Sequence, residues 1–297
     1  MMRRLVTPAL ALFALVGCTA QGPQRDAEER PEASRSKESA ASERDYTSRL
    51  PIAAYSYTNA EYASIEAAEN VLANTCMARY SLTYKPPKPP TAPPGADRRY
   101  GLSEESSAAR YGYHLDSSAA PPQRIQLSKD ERTVLFGKQA GDGKSGPLEY
   151  RGTKIPDVGC IGQAKNNLGK DYSYPEGAET ASRISALSYQ KSMLVPEVQT
   201  VFKKWSACMK KSGYDYGSPR DPFSVENFSE GPLTAQEKDT AKADVACKRS
   251  TGLLDVWFTA ESGIQKTMIA EDAAALRKLR DLHQKKVAAA RKILAEG

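Results

Sequence analysis

Residues 76–84 read CMARYSLTY, and residues 208–216 read CMKKSGYDY. Each segment begins with Cys-Met, has a basic residue three positions after the Cys and has a Tyr eight positions after it. A second similarity follows each segment, because DVGC at residues 157–160 matches DVAC at residues 244–247. The repeated order of these parts predicts a duplicated structural unit.

Signals for the start of a helix accompany both copies. The first copy has LSKDE at residues 127–131, and the second has LTAQE at residues 233–237. In each, a hydroxyl residue stands three positions before a Glu, which is the pattern of a capping box. Thr58 and Glu61 form a third capping box ahead of the first Cys-Met segment. These signals predict three helix starts, the last of which leads straight into Cys247.

The clearest predicted helix precedes Cys208 and places this Cys on the core side. Pro196 suits its first turn, Gly213 can end it in the left-handed conformation, and apolar residues between them recur at helical spacing. Beyond Gly252 the chain has no Pro and repeats apolar residues at turn spacing, which predicts one long amphipathic helix or a pair. The expected fold is mainly α, with duplicated disulfide-stapled helical units on a disordered tether and a long C-terminal helix.

The start of the chain has the pattern of an export signal. Arg3 and Arg4 precede an apolar run at residues 5–16 that is too short for a permanent membrane span. Residues 15–18, Leu-Val-Gly-Cys, resemble the bacterial lipobox, whose Cys becomes the first mature residue and carries a diacylglyceryl group. The prediction is a lipoprotein signal peptide at residues 1–17 and lipidation of Cys18. Two acyl chains would then hold the protein at the extracytoplasmic face of the cell membrane.

The rest of the chain divides by composition and by the duplication. Residues 18–50 are predicted to be the lipid anchor and a disordered tether, because the stretch after Cys18 has hardly an apolar side chain. Residues 51–195 are predicted to be the first helical repeat unit, with a Pro-rich insertion, KPPKPPTAPPG, and a Gly-rich insertion, GKQAGDGKSGP. Residues 196–297 are predicted to be the second repeat unit and the C-terminal helix.

The remaining cysteines lie at matching places of the duplication. The chain has five Cys, and the four that follow Cys18 are Cys76, Cys160, Cys208 and Cys247. In an exported chain this arrangement favours disulfides. Three pairings are possible for four cysteines, and only the similarity between the copies selects Cys76 with Cys160 and Cys208 with Cys247. A zinc site of four thiolates is the alternative, although the chain has no C-x-x-C pair and only two His.

The charge of the chain argues against nucleic acid as a partner. The formal net charge of +6 falls to +4 when Arg3 and Arg4 leave with the signal peptide. A nucleic-acid binder is expected to carry a larger and clustered excess of basic residues. The basic residues of the C-terminal helix are therefore interpreted as a solvated face.

The sequence predicts no catalytic residue, no metal site and no cofactor. His114 is expected to be a turn residue near a carboxylate, and His283 an exposed residue of the charged C-terminal helix. Residues 137–145, GKQAGDGKS, have one residue too many between their glycines for a phosphate-binding loop and are predicted to be a surface loop.

Tyrosine is the overused side chain with binding potential. Tyr-x-Tyr pairs place both rings on one side of a locally extended segment, where they can stack on a sugar or a peptide. Ordinary packing between helices is the alternative role. The candidate ligand-binding residues are Tyr100, Tyr111, Tyr113, Tyr214 and Tyr216.

The combined pattern resembles predicted lipoproteins of unknown function from actinobacteria, which have paired C-M-x-x-x-G-[FY]-x-Y motifs. The likeness covers about residues 50 to 265. The first copy departs from the motif, because Ser81 and Leu82 stand where the second has Gly213 and Tyr214, so its helix end is expected to differ. The resemblance brings no known catalytic residues.

The expected function is a non-enzymatic binding or interaction module of the cell envelope. Its expected partners are the lipid bilayer, through acylated Cys18, and an envelope protein or a wall polymer. A cell-wall-directed hydrolase using a pair of carboxylates is one alternative, and a structural spacer in an envelope complex is another. The sequence leaves the ligand and the oligomeric state open.

Overall fold

The computed structural model describes residues 45–86, 97–115, 126–140, 147–169, 175–225, 228 and 231–296. All of these residues belong to one compact unit. The predicted signal peptide, the proposed lipidation of Cys18, most of the tether and the central parts of both insertions lie outside the described residues.

Helices make up most of the described chain, so the prediction of a mainly α fold is confirmed. Two short 3₁₀ helices at Pro51–Tyr55 and Gly137–Ala140 and one small hairpin accompany them. The antiparallel strands β1 (Glu149–Tyr150) and β2 (Thr153–Lys154) pair Glu149 with Lys154. The α-helices are α1 (Tyr46–Arg49), α2 (Asn59–Ala78), α3 (Glu105–Tyr111), α4 (Lys129–Phe136), α5 (Gly159–Asn167), α6 (Ala178–Ser192), α7 (Pro196–Lys211), α8 (Asp221–Val225), α9 (Ala235–Thr251), α10 (Leu253–Glu271) and α11 (Ala273–Glu296).

Each predicted disulfide is present and lies beside its own hydrophobic core. Cys76 on α2 bonds to Cys160 on α5, with 5.5 Å between their Cα atoms, within one core. Cys208 on α7 bonds to Cys247 on α9, with 5.6 Å between their Cα atoms, at the edge of the other. Both predicted pairings are confirmed, and the zinc alternative is wrong because all four sulfurs are used in the bridges.

The face that α7 buries follows the spacing predicted for it. Trp205 and Met209 are fully buried, and Cys208 beside them is only partly buried. Helical spacing places the other buried residues of this face one and two turns earlier. These residues are Val198, Val201 and Phe202.

The two Cys-Met helices end in the same turn although their sequences differ there. Ser81 has φ 57° and Gly213 has φ 91°, so both adopt the left-handed conformation. The amide that follows each of them donates to the carbonyl of the Met in the motif, at 3.1 and 3.0 Å. This is the closing bond of a Schellman-type helix end. The expected difference between the two ends is therefore absent, and Ser81 takes a backbone conformation that Gly adopts more readily.

Packing crosses the predicted boundary between residues 195 and 196. Helix α3 packs against α9, α6 packs against α10, and α11 packs against α2. The C-terminal segment forms a pair of helices, α10 and α11, as one of the two predicted options. Helices of each half pack against helices of the other. The division at residue 195 therefore describes the repeated sequence, and it stays a prediction.

The folded part of the chain begins before the predicted end of the tether at residue 50. Tyr46 and Leu50 are buried, and the Tyr46 hydroxyl donates to Asp255 Oδ1 at 3.0 Å. Residues 46–49 are helical and residues 45–50 are anchored in the fold, which corrects the tether boundary. Among the described helices, none combines the length and the apolar composition needed to cross a bilayer.

Candidate functional site

A cavity of about 590 Å³ lies between helices α6, α8, α9 and α10 and the segment around residues 98–102. Five aromatic rings contribute to its wall, together with three cationic side chains and one carboxylate. The aromatic residues are Tyr100, Tyr113, Tyr189, Phe223 and Trp257. The charged residues are Arg98, Arg220, Lys248 and Asp244.

The carboxylate of Asp244 is the centre of the polar bonds in the wall. Its Oδ1 accepts a hydrogen bond from Trp205 Nε1 at 2.9 Å, and its Oδ2 accepts from Lys248 Nζ at 2.9 Å and from the Tyr113 hydroxyl at 3.3 Å. Burial raises the pKa of Asp244, because desolvation disfavours the charged form, while Lys248 and the other donors act in the opposite direction. The carboxylate is thus fully enclosed by donors.

Lys248 is also buried, with 1% of its side chain exposed. Besides Asp244, its ammonium donates to the Leu102 carbonyl at 3.1 Å. An ammonium has three donors, and the bonds to described residues use two of them. Lys248 also lines the cavity, so its third N–H can donate to the oxygen of a ligand.

Two Tyr-Gly pairs let the segment around residues 100–113 approach the buried face of α9. A Cβ at Gly101 (φ +80°) would lie 2.9 Å from Lys248 Nζ. A Cβ at Gly112 (φ +56°) would overlap the carboxylate of Glu237. Because glycine lacks a Cβ, the backbone can pass directly over both charged side chains.

Glu237 has a different role from the one its capping box predicts. Thr234 caps α9 as expected, with its hydroxyl accepting from the Glu237 amide at 3.1 Å. The Glu237 carboxylate, however, is buried and accepts from the Tyr113 amide at 2.7 Å. It also lies 3.3 Å from Nε2 of His114. The prediction of a complete second capping box is wrong, because docking of the Tyr-Gly segment diverts this carboxylate.

The Trp257 indole is the centre of the aromatic wall. Tyr189 stacks on it at a centroid distance of 5.3 Å, and Tyr100 lies against it at 4.9 Å. The Trp257 Nε1 donates to the Ser192 hydroxyl at 2.8 Å, and the Tyr100 hydroxyl donates to Glu261 at 2.8 Å. Burial raises the pKa of Tyr100 and Tyr189, so both hydroxyls stay neutral. The rings of this wall are uncharged, and hydrogen bonds hold Trp257 and Tyr100 in place.

The tyrosines predicted from the sequence do not all meet in one place. Tyr100 and Tyr113 line the cavity, whereas Tyr111, Tyr214 and Tyr216 lie outside its wall. Tyr214 and Tyr216 stack on each other, with ring centroids 6.4 Å apart. A binding role for these residues stays a prediction, and the structure favours Tyr100 and Tyr113.

The two histidines have different outcomes. His114 lies in a turn beside a carboxylate, as predicted; this carboxylate belongs to Glu237, and His114 lines the cavity. His283 is partly buried instead of exposed, because its ring packs on Tyr57 at a centroid distance of 4.1 Å. Burial lowers the pKa of His283.

Sequence reasoning missed most of the charged residues in the cavity wall. Asp244 and Lys248 stand four positions apart on α9, a spacing typical of exposed ion pairs, and the sequence gives no sign of their burial. Arg98 and Arg220 lie in irregular segments where no periodicity marks them. Phe223 lies on α8, a helix of five residues that is too short to show a periodic pattern.

A wider groove of about 990 Å³ lies elsewhere and differs in charge. Arg99 lines it and forms an ion pair with the buried carboxylate of Glu261, so its charge is balanced within the protein. The described residues contain no cluster of three or more side chains suited to hold a metal ion.

Comparison of the chain with known protein families, with curated proteins and with solved structures finds no match.

Proposed function

We propose that this chain is a membrane-anchored extracytoplasmic lipoprotein that acts as a non-enzymatic binding module of the cell envelope. The observation that supports a binding role is the cavity of about 590 Å³ with its ordered aromatic wall. Ligand sites are typically concave, mostly apolar and supplied with a few fixed polar groups. The proposed membrane anchor rests on the lipobox-like residues 15–18 and on the resemblance to predicted lipoproteins.

The alternatives receive less support. A hydrolase with paired carboxylates needs two acids that face each other, but Asp244 is the one acid among the described residues that line the cavity. Its oxygens are already bonded to Trp205, Lys248 and Tyr113. A structural spacer has no need of a cavity with a flat aromatic wall.

The membrane anchor is tested by mass spectrometry of the chain from the producing cells. The unchanged chain should begin at Cys18 and carry the added mass of a diacylglyceryl group. Cys18→Ser should remove this mass and release the protein from the membrane fraction. Recovery of an unmodified Cys18 would contradict the anchor and leave the binding role untouched.

The binding role is tested with an extract of small molecules from the cell envelope. The full chain carrying Cys18→Ser is incubated with the extract, separated from unbound material and denatured, and the released molecules are identified by mass spectrometry. Ser224→Tyr, which adds a ring at an exposed position of the cavity wall, should abolish retention of at least one molecule. Ala274→Tyr, at an exposed position of α11, is the matched control. Identical sets of retained molecules in all variants would contradict the proposal.

A further inference from the structure

Two neighbouring arginines have opposite electrostatic environments. Arg99 forms an ion pair with the buried Glu261. Arg98 instead donates to two backbone carbonyls, those of Tyr113 at 3.1 Å and His114 at 2.8 Å. Carbonyl oxygens satisfy donors but carry no full negative charge. The positive charge of Arg98 therefore has no carboxylate partner among the described residues.

Arg98 keeps this charge although it is partly withdrawn from water. Burial lowers the pKa of Arg98, since desolvation penalises the cation. A guanidinium nevertheless stays protonated in proteins. A partly desolvated cation without a counterion is costly, and binding of an anion offsets that cost.

Arg220 is a second unbalanced guanidinium in the same wall. Its side chain is exposed and forms no ion pair with any described residue. It lines the same cavity as Tyr189 and Trp257 of the aromatic wall. Including Lys248, the described residues of the cavity wall carry three cations against the one carboxylate of Asp244.

Two exposed apolar side chains belong to the cavity lining. Leu115 is 74% exposed and Phe223 is 53% exposed, and both line the cavity. Inside, Tyr189 and Trp257 present stacked rings. A ligand that matches this lining has a flat or extended apolar body, because packing apolar surface against these rings removes it from water.

We infer that the cavity recognises an amphipathic anion, a small molecule whose apolar body lies among the rings and whose single acid group is met by the unpaired arginines. Arginine suits this role because its planar fork binds the two oxygens of an acid group together. The spare donor of Lys248 adds a further contact for an oxygen. The inference rests on the proposed binding function and specifies the class of ligand for that same cavity.

A pair of probes tests the inference. Anilinonaphthalene sulfonate has an aromatic body with one acid group, and phenylnaphthylamine is its uncharged parent. The chain has only two Trp; Trp257 lines the cavity and Trp205 bonds to Asp244. Energy transfer from these residues to a bound probe therefore reports occupancy near the cavity. The full chain with Cys18→Ser is titrated with each probe in turn.

We expect the sulfonate to bind at least about ten-fold more tightly than the neutral probe. Arg220→Gln should weaken sulfonate binding at least about five-fold and leave the neutral probe within about two-fold, because one exposed charge pair is lost. Arg220→Lys should retain most of the affinity. Arg132→Gln, at an exposed position of α4 outside the cavity wall, should change neither probe. Because Arg220 is exposed, its substitution does not threaten the fold.

Three results decide the question. The inference is supported if the sulfonate binds more tightly than the neutral probe and this preference decreases in Arg220→Gln. Equal binding of both probes, unaffected by Arg220→Gln but lost in Ser224→Tyr, overturns the anionic ligand while the binding function stands. Binding of neither probe overturns the inference, and the envelope extract then decides the proposed function by itself.

Discussion

Lys248 and Asp244 form a buried ion pair across one turn of α9, with 2.9 Å between Nζ and Oδ2 and no more than 1% of either side chain exposed. Removing one partner of such a pair leaves an uncompensated buried charge, which typically costs about 3–5 kcal/mol. Lys248→Met should therefore lower the free energy of unfolding by about this amount. Urea denaturation followed by tryptophan fluorescence measures it.

The pH dependence of the same variant provides a second readout. Without Lys248, burial holds the pKa of Asp244 above its usual value, so the folded state prefers the protonated acid. Stability is then fully present below the unfolded pKa of about 3.9 and is lost as pH rises through the folded pKa. Lys242→Met, which removes an exposed lysine from the same helix, should cost less than about 1 kcal/mol. Equal losses in both variants would contradict the buried pair.

The two disulfides should each contribute strongly to stability. In the chain-entropy model, closing loops of 84 and 39 residues stabilises the fold by about 4 kcal/mol each. We expect Cys76→Ala with Cys160→Ala, and separately Cys208→Ala with Cys247→Ala, to lower the free energy of unfolding by this order. Peptide mapping without reductant checks the pairing first. Peptides linked between Cys76 and Cys208 would contradict it.

Substitution of Gly112 and of Gly213 by Ala tests how closely the Tyr-Gly segment packs on α9. Both have positive φ, and Gly112 also has ψ −128°, so backbone strain from Ala costs about 1–2 kcal/mol at Gly213 and at least as much at Gly112. At Gly213 nothing lies within 4 Å of an added Cβ, whereas at Gly112 the Cβ overlaps the buried Glu237 carboxylate. Gly112→Ala should therefore lower the thermal midpoint further, with at least about 1 kcal/mol of additional loss. If Gly213→Ala were the more damaging change, this contact would be less close than described.

His283 should make the protein less stable in mild acid. Burial lowers the pKa of His283, so the unfolded chain takes up this proton at a higher pH than the folded chain. The stability contributed by the neutral ring is present above the unfolded pKa of about 6.5 and falls as pH drops towards the folded value. His283→Phe keeps a ring against Tyr57 and removes the titration. Its thermal midpoint should change less between about pH 7.5 and about pH 5.5, one unit either side of the ordinary His pKa, than that of the unchanged chain.

Local sequence patterns were sufficient to predict the helical fold and both bridges. Capping residues and helical spacing act within a few positions of the chain, and the duplication aligned the cysteines. The cavity depends on contacts between distant segments, which such patterns do not contain. Glu131 and Glu237 occupy equivalent motif positions, yet Glu131 completes an exposed capping box while Glu237 is buried under the Tyr113 amide.

The same limit applies to the aspartates of the duplicated DV motif. Asp157 pairs with Lys138 at the surface, whereas Asp244 is buried with Lys248. The Tyr-Gly segment covers the second copy, where the Leu102 carbonyl accepts from Lys248. No property of the repeated residues themselves indicates which copy becomes part of a site.

The packing of α11 against α2 has a consequence for how the chain acquires its structure. The last helix of the described chain completes a surface begun by the first long one, across most of the sequence. Contacts between residues so far apart in the sequence slow folding, because closing a long loop costs conformational entropy before the contacts contribute any stabilisation. Ribosomal synthesis must reach α11 before this part of α2 can find its partner. Premature termination within α11 would therefore leave Ile65 and Ala68 of α2 without their contacts to Val287 and Ala290.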